Sequence, residues 1–280
     1  VAIRVEFSGD QGVLIGAGGT LLEGVALLQA APPRTAPRIG RLLVGLVALY
    51  GLMRVVSTAL WWLVSDVMRI QPAPLPAEEL PAFITGFALF FAPLLYLSAC
   101  ALARRWLPLE PSRLMLYMGA TFFCAALAEI AVDEAFVAVL GRPAWLYQVW
   151  PVHGGFTSAA GVAMWPLYGV FVYLLHGALR GNPRLRFLDN DMGKALLVAV
   201  DAMLLEVAAN AFTLVGFRSF FFFYLVPDLH HFTTWEIFIP YILAGVVGMK
   251  LIAVLDRRKH RALIGLALQL AATVLVLRIF

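Results

Sequence analysis

Seven stretches of this chain are long and apolar enough to cross a lipid bilayer, or nearly so: residues 42–66, 82–103, 114–140, 156–179, 194–217, 232–255 and 262–279. A helix needs about 20 apolar residues to cover roughly 30 Å of hydrocarbon. The fold class expected is therefore an all-α integral membrane protein with about seven transmembrane helices. Composition agrees: 62% of the residues are hydrophobic and 14% charged, against about 25% charged in soluble domains. That balance excludes a disordered chain and, despite the net charge of +4, a soluble nucleic-acid binder. Two cysteines, Cys100 and Cys124, cannot staple a disulfide scaffold and read as small core residues.

Residues 1–33 stand apart. Gly12 to Ala31 is apolar but carries Gly16, Gly18, Gly19 and Glu23, which reads as an interfacial or re-entrant segment. It lacks the basic start and cleavage site of a signal peptide. Residues 34–280 form the polytopic domain. Its basic residues alternate between loops: Arg34, Arg38 and Arg41, then Arg104, Arg105 and Arg113, then Arg180, Arg184, Arg186 and Lys194, then Arg257, Arg258, Lys259 and Arg261. The intervening connections hold only Arg69, Arg142 and Arg218, and Arg278 lies at the far end. Basic loops stay in the cytoplasm. The expected location is thus a cell inner membrane, with residues 34–41 inside and the 67–81, 141–155 and 218–231 loops outside.

A repeat runs through the second half. Glu129, Asp133, Arg142, Pro151, Phe156, Thr157 and Pro166 recur in order as Glu206, Asn210, Arg218, Pro227, Phe232, Thr233 and Pro240. A fainter copy upstream has Arg69, the Phe83-Ile84-Thr85 triplet and Pro93, with Ser57 near the glutamate's place. The pattern reads as parallel helical hairpins, 42–103, 114–179 and 194–255, plus a final helix 262–279. In transporters, parallel repeats place the site at their interface.

Ionisable groups inside apolar spans cost about 2.5–3.5 kcal/mol each on insertion scales, so they face the bundle interior, pair, and mark functional sites. Glu129 lies mid-span with Asp133 one turn away on the same face; Glu206 and Asn210 form the matching pair. Neighbouring carboxyls in low dielectric resist ionising together, the setting of a general acid, a proton relay or a cation site. The structural alternative is interhelical hydrogen bonding alone. Arg54, in mid-helix, is expected to pair with Glu129 or Glu206; Asp201 and Lys250, in the inner halves of their helices, could pair near the cytoplasmic side, with a structural role favoured. Pro240 within helix 6 should free the carbonyl of Glu236 beside its own carboxylate.

The outer loops are dense in aromatics, Trp145 and Tyr147 among them. They read first as an interfacial belt and alternatively as a lid over a cavity. His153, His230 and His231 titrate near neutrality and could join the acids, or simply bond loop carbonyls. Arg69, Arg142 and Arg218 could form a rim for a phosphate or carboxylate head group. No phosphate-binding loop, nucleophile elbow, dinucleotide fingerprint or zinc ligand pair is present. No metal is expected, and no cofactor can be named.

The expectation is a membrane-embedded acid–base enzyme for an apolar lipid or isoprenoid substrate, of isomerisation or cyclisation type, in a cavity open to the outer leaflet. Glu129, Glu206, Asp133, Glu236 and His153 would do the chemistry. Arg142, Arg218, Asn210, Trp145, Tyr147, His230, His231 and Arg54 would hold the substrate. Two alternatives are open, the first using the same intramembrane acids and the second the aromatic loops. One is a proton- or cation-coupled transporter; the other is a non-catalytic pigment- or quinone-holding subunit of a larger membrane complex. The partners expected are membrane lipids and an apolar small molecule, with no nucleic acid.

Overall fold

The structure, a computed structural model, describes residues 36–277, and their side chains from residue 44 onward apart from Arg184 and Arg186. The N-terminal segment 1–33 and Arg278 lie outside the described residues. Two compact units divide the chain, one ending at Leu52 and one running from Met53. In the first, residues 36–52 are helical and Val44, Val47 and Leu52 are exposed. The second holds the site and every side-chain contact described below.

Among the described residues there are seven α-helices: α1 Ala36–Trp62, continued by a π-helical turn Leu63–Val67, α2 Leu80–Ala103, α3 Pro111–Leu140, α4 Gly161–Gly181, α5 Asp191–Phe217, α6 Phe238–Leu255 and α7 Arg261–Leu277. Their ends follow local chemistry. Pro111 opens α3 in the first turn, where no amide hydrogen bond is lost. The Asn190 side chain caps α5 by accepting from the Gly193 amide at 2.9 Å. Gly141 stops α3 in the left-handed conformation, and Arg104 and Arg218 stop α2 and α5 in the same way without being glycine.

Five helical segments are long and apolar enough to cross a bilayer: Val44–Val67, Ala77–Ala103, Gly161–Gly181, Asp191–Phe217 and Trp235–Leu255. Of the other two, α3 carries Glu129, Asp133 and Glu134, and α7 has only 17 residues. The exterior is apolar as well. On α6, Ile239, Leu243, Val247 and Val254 form one outward stripe, each more than half exposed. An apolar exterior of this extent needs a lipid or protein neighbour, and the five helices fit a membrane protein.

Helix α3 is central, packing on α7, α4 and α6, while α5 packs on α6 and α2 on α4. Glycines set the close crossings. Gly119 of α3 and Gly265 of α7 meet so closely that a Cβ on Gly119 would overlap the Gly265 backbone, and one on Gly265 the Met115 and Leu116 backbone. At the α3–α4 crossing a Cβ on Gly169 would lie 2.6 Å from Met118 Cα. At the α5–α6 crossing a Cβ on Gly245 would lie 3.1 Å from Ala195 Cα. Small residues let backbones approach in this way. Helices α2 and α5 meet instead through rings, with Phe90 stacked on Phe212 at 5.1 Å and Phe91 edge-on to it at 5.7 Å.

The two ends of the bundle are built differently. At one end, β1 (Trp145–Tyr147) pairs antiparallel with β4 (Phe222–Tyr224), centred on Leu146 opposite Phe223. Between them in sequence, β2 (Pro151–Val152) pairs with β3 (Thr157–Ser158). The other end is rich in arginine and clamped by charge. Arg113 grips Asp256 at 3.0 and 2.7 Å, and Arg261 reaches Asp256, Ser112 and Glu110. The Arg113 hydrogen bonds hold the Asp256 carboxyl below the usual carboxylate range.

Three expected arrangements are corrected. Arg54 does not reach Glu129 or Glu206; it donates to the backbone carbonyl of Asp228, because the 218–231 loop folds down beside it. Asp201 is not paired with Lys250, which is exposed on the far face of α6; its carboxyl meets the Tyr168 hydroxyl. Pro240 breaks no helix at Glu236, because α6 begins only at Phe238 and the proline sits in its first turn.

Candidate functional site

Between α2, α3, α4, α5 and α6 lies a cavity of about 180 Å³. Its walls are largely apolar, and Glu129 of α3 and Glu206 of α5 both face it at the strand end. The strand pair roofs it. Alternation along a strand sends Trp145 and Tyr147 from β1, and Phe222 and Tyr224 from β4, to the buried side, while Leu146 and Phe223 are less buried. Aromatic side chains of these two loops therefore cover the cavity.

Each buried carboxyl accepts from a tyrosine and a threonine hydroxyl. The Tyr147 hydroxyl donates to Glu129 Oε1 and the Thr157 hydroxyl to Oε2 at 2.6 Å, and the Trp165 side chain approaches as a third donor. Around Glu206, the Tyr224 hydroxyl donates to Oε1 at 2.5 Å, Tyr241 donates to the same oxygen, and Thr233 donates to Oε2 at 2.5 Å. Burial and the neighbouring glutamate push the loop phenols Tyr147 and Tyr224 well above the ordinary tyrosine range, so both remain protonated donors at physiological pH.

The bonds one turn along recur in the same way. Asp133 Oδ1 accepts from the Ala144 amide at 2.7 Å. Asn210 Oδ1 accepts from the Phe221 amide at 3.0 Å, and its Nδ2 donates to the Phe232 carbonyl at 2.8 Å. Asp133 Oδ2 is buried with no hydrogen-bond partner. These residues pin the ends of the roof strands to the helices below. Their contribution is to position the tyrosines, since neither Asp133 nor Asn210 lines the cavity.

Of the residues singled out from sequence, Glu129, Glu206, Trp145 and Tyr147 line the cavity together. The rest are placed elsewhere. Glu236 and Arg142 hold each other through two hydrogen bonds of 2.8 and 2.9 Å. His153 donates to the Leu275 carbonyl of α7 at 2.8 Å. His230 bonds the Thr58 hydroxyl at 2.9 Å and stacks on Trp61, and His231 donates to the Tyr224 carbonyl at 2.6 Å. Arg218 is exposed at the end of α5. The histidines thus brace the loops against α1, α7 and β4.

Sequence reasoning missed Tyr224, Tyr241, Thr157, Thr233 and Trp165 as ligands of the two acids. A signal for one pair was present: Tyr147 follows Glu129 by 18 residues, and Tyr224 follows Glu206 by 18. It also missed His176, buried on α4 between the Tyr117 hydroxyl at 2.8 Å and Met249 Sδ at 2.9 Å.

No family model, curated protein or solved structure matches this chain. Among the described residues, no group of histidine, cysteine and acidic side chains is arranged to hold a metal ion.

Proposed function

We propose that this chain is a seven-span membrane protein whose chamber performs acid–base chemistry on an apolar lipid or isoprenoid substrate, of isomerisation or cyclisation type. The arginine-rich end faces the cytoplasm and the roofed end faces outward, as the distribution of basic loops requires. The domain is two copies of one hairpin unit, α3–α4 and α5–α6, each with its own loop. Support comes from the matching hydrogen bonds, which keep a spacing of 77 residues from Glu129, Asp133 and Tyr147 to Glu206, Asn210 and Tyr224. Leu146 opposes Phe223, also 77 residues on, so the copies are related by a two-fold rotation. The glycine crossings and the Trp165–Tyr241 equivalence set Pro240 against Met164, two residues from the match with Pro166. Ser57 bonds only its own helix, at the Arg54 carbonyl, and the upstream stretch is left out of the repeat.

One observation carries the functional reading: two carboxyl groups share an apolar chamber, each fixed by a tyrosine and a threonine hydroxyl. A proton passing from one carboxyl to a substrate double bond or epoxide leaves a carboxylate and a carbocation. Loss of a proton from a neighbouring carbon to the other carboxylate forms the new double bond. Atoms and charge balance, and the product is an isomer of the substrate. The chamber is slightly larger than the ~150 Å³ cavity that admits benzene, so it takes the reacting end of a chain while the remainder lies among helices or lipid.

The test is turnover of labelled linear isoprenoids by the full chain in lipid nanodiscs. Glu129→Gln or Glu206→Gln should each lower turnover by about 10²–10⁴-fold at unchanged helix content. Wild-type turnover in either variant removes the acid–base reading. Proton-coupled flux into liposomes, or inertness restored only by a partner subunit, would identify the transporter or the accessory subunit instead.

A further inference from the structure

The chamber's wall has a one-sided chemistry. Ten aromatic rings line it, Trp145, Tyr147, Trp165, Tyr224 and Tyr241 among them, together with Glu129 and Glu206. Among the described residues that line it there is no lysine, arginine or histidine. The charged groups of the neighbourhood are turned to other partners: Arg142 to Glu236, and Arg54 to the Asp228 carbonyl. A ring presents a negative face to whatever lies above it, and buried carboxyls offer negative charge or its potential. Nothing in the wall offers a compensating positive charge.

We infer that the chamber is a binding site for a compact organic cation, an alkyl group carrying one full positive charge on carbon or nitrogen. This rests on the proposed acid–base reading and narrows it: the substrate class is one whose reacting carbon becomes a cation, and a permanent alkylammonium of the same shape is its stable mimic. Anions are disfavoured by the same wall, which offers them no positive charge. An aromatic cage of this type is the recognised device for quaternary ammonium groups. The carboxyls add selectivity, because a neutral isostere of equal size gains nothing from them.

The experiment compares two radiolabelled probes of matched shape, trimethyl(hexyl)ammonium and 2,2-dimethyloctane, in which a carbon replaces the nitrogen. Equilibrium binding is measured on the full chain in zwitterionic nanodiscs, with empty nanodiscs subtracted to remove partition into lipid. The ammonium should bind at least tenfold more tightly than the hydrocarbon. Glu129→Gln with Glu206→Gln should bring the two towards parity. Should that double variant lose helix content, Trp165→Leu and Tyr241→Leu, made singly, should each reduce the preference several-fold with both acids retained. Parity in the wild-type chain, or a preference unchanged by all these variants, overturns the inference. The outcomes separate the two proposals. Parity in the wild type with turnover lost in the glutamine variants leaves the acid–base chemistry standing without a fully charged intermediate. A strong ammonium preference without turnover of any isoprenoid leaves the cation site standing and removes the enzyme.

Discussion

The α3–α4 and α5–α6 halves hold their glutamates in nearly the same way, and they differ where the surroundings differ. Glu129 is served by Tyr147, Thr157 and the Trp165 indole; Glu206 is served by Tyr224, Thr233 and the Tyr241 hydroxyl. An indole N–H can only donate, whereas a phenol both donates and accepts. The Tyr224 and Tyr241 hydroxyls lie 3.5 Å apart and both reach the same Glu206 oxygen. On the Glu129 side the Trp165 indole stands where the second phenol stands on the other. The matching arrangement fixes both carboxyls, and the unlike member changes only whether that neighbour can also accept a hydrogen bond.

The largest expected effect tests whether the two helix crossings are equally tight. Gly169→Ala places a Cβ against the Met118 and Tyr117 backbone and should cost about 3 kcal/mol. Gly245→Ala, facing Ala195 at a longer distance, should cost about 1 kcal/mol. Equal melting shifts for the two variants would mean that the crossings do not differ. Next comes the exchange at the roof anchors. Asn210→Asp removes the donor to the Phe232 carbonyl and should destabilise by about 2 kcal/mol. Asp133→Asn supplies a donor at a buried oxygen without a partner and should be neutral or better, as chemical denaturation in nanodiscs would show. Tyr241→Phe removes one of three donors to Glu206 and should cost about 1 kcal/mol, leaving the ring in place. The smallest effect lies at the other end of the bundle. The Asp256 carboxyl is held low by Arg113, so its contribution is complete above the ordinary aspartate value of about 3.8 and fades as the pH falls through its lower folded value. Asp256→Asn should therefore lower the melting point near neutrality by an amount worth under about 1 kcal/mol. That gap should close on acidification below pH ~4.

Much of the helix layout was readable from the chain because long apolar runs set helix positions. The apolar stretches matched helices to within about six residues at each end, and the recurrence of Glu129-Asp133 as Glu206-Asn210 pointed to the two acids of the chamber. Partner choice was not readable. Arg54 in mid-helix suggested a buried ion pair, but a loop some 170 residues away supplies a carbonyl instead. Glu236 and Arg142 were singled out separately, for different roles, and satisfy one another. The three-residue strands β1 and β4 were invisible because aromatic residues suit both a membrane interface and a pleated ribbon, and the pairing joins segments 77 residues apart. The tyrosine ligands were masked by the same abundance of rings.

Both halves contribute one strand to a single shared ladder above the acids, and each strand carries the phenol that grips its own carboxyl. Peeling back β1 to uncover Glu129 strips β4 of its only ladder partner among the described residues. Water admitted on one side therefore reaches the other, and the two carboxyls are hydrated or dry as a couple. Amide exchange at Leu146 and Phe223 should then rise and fall in step.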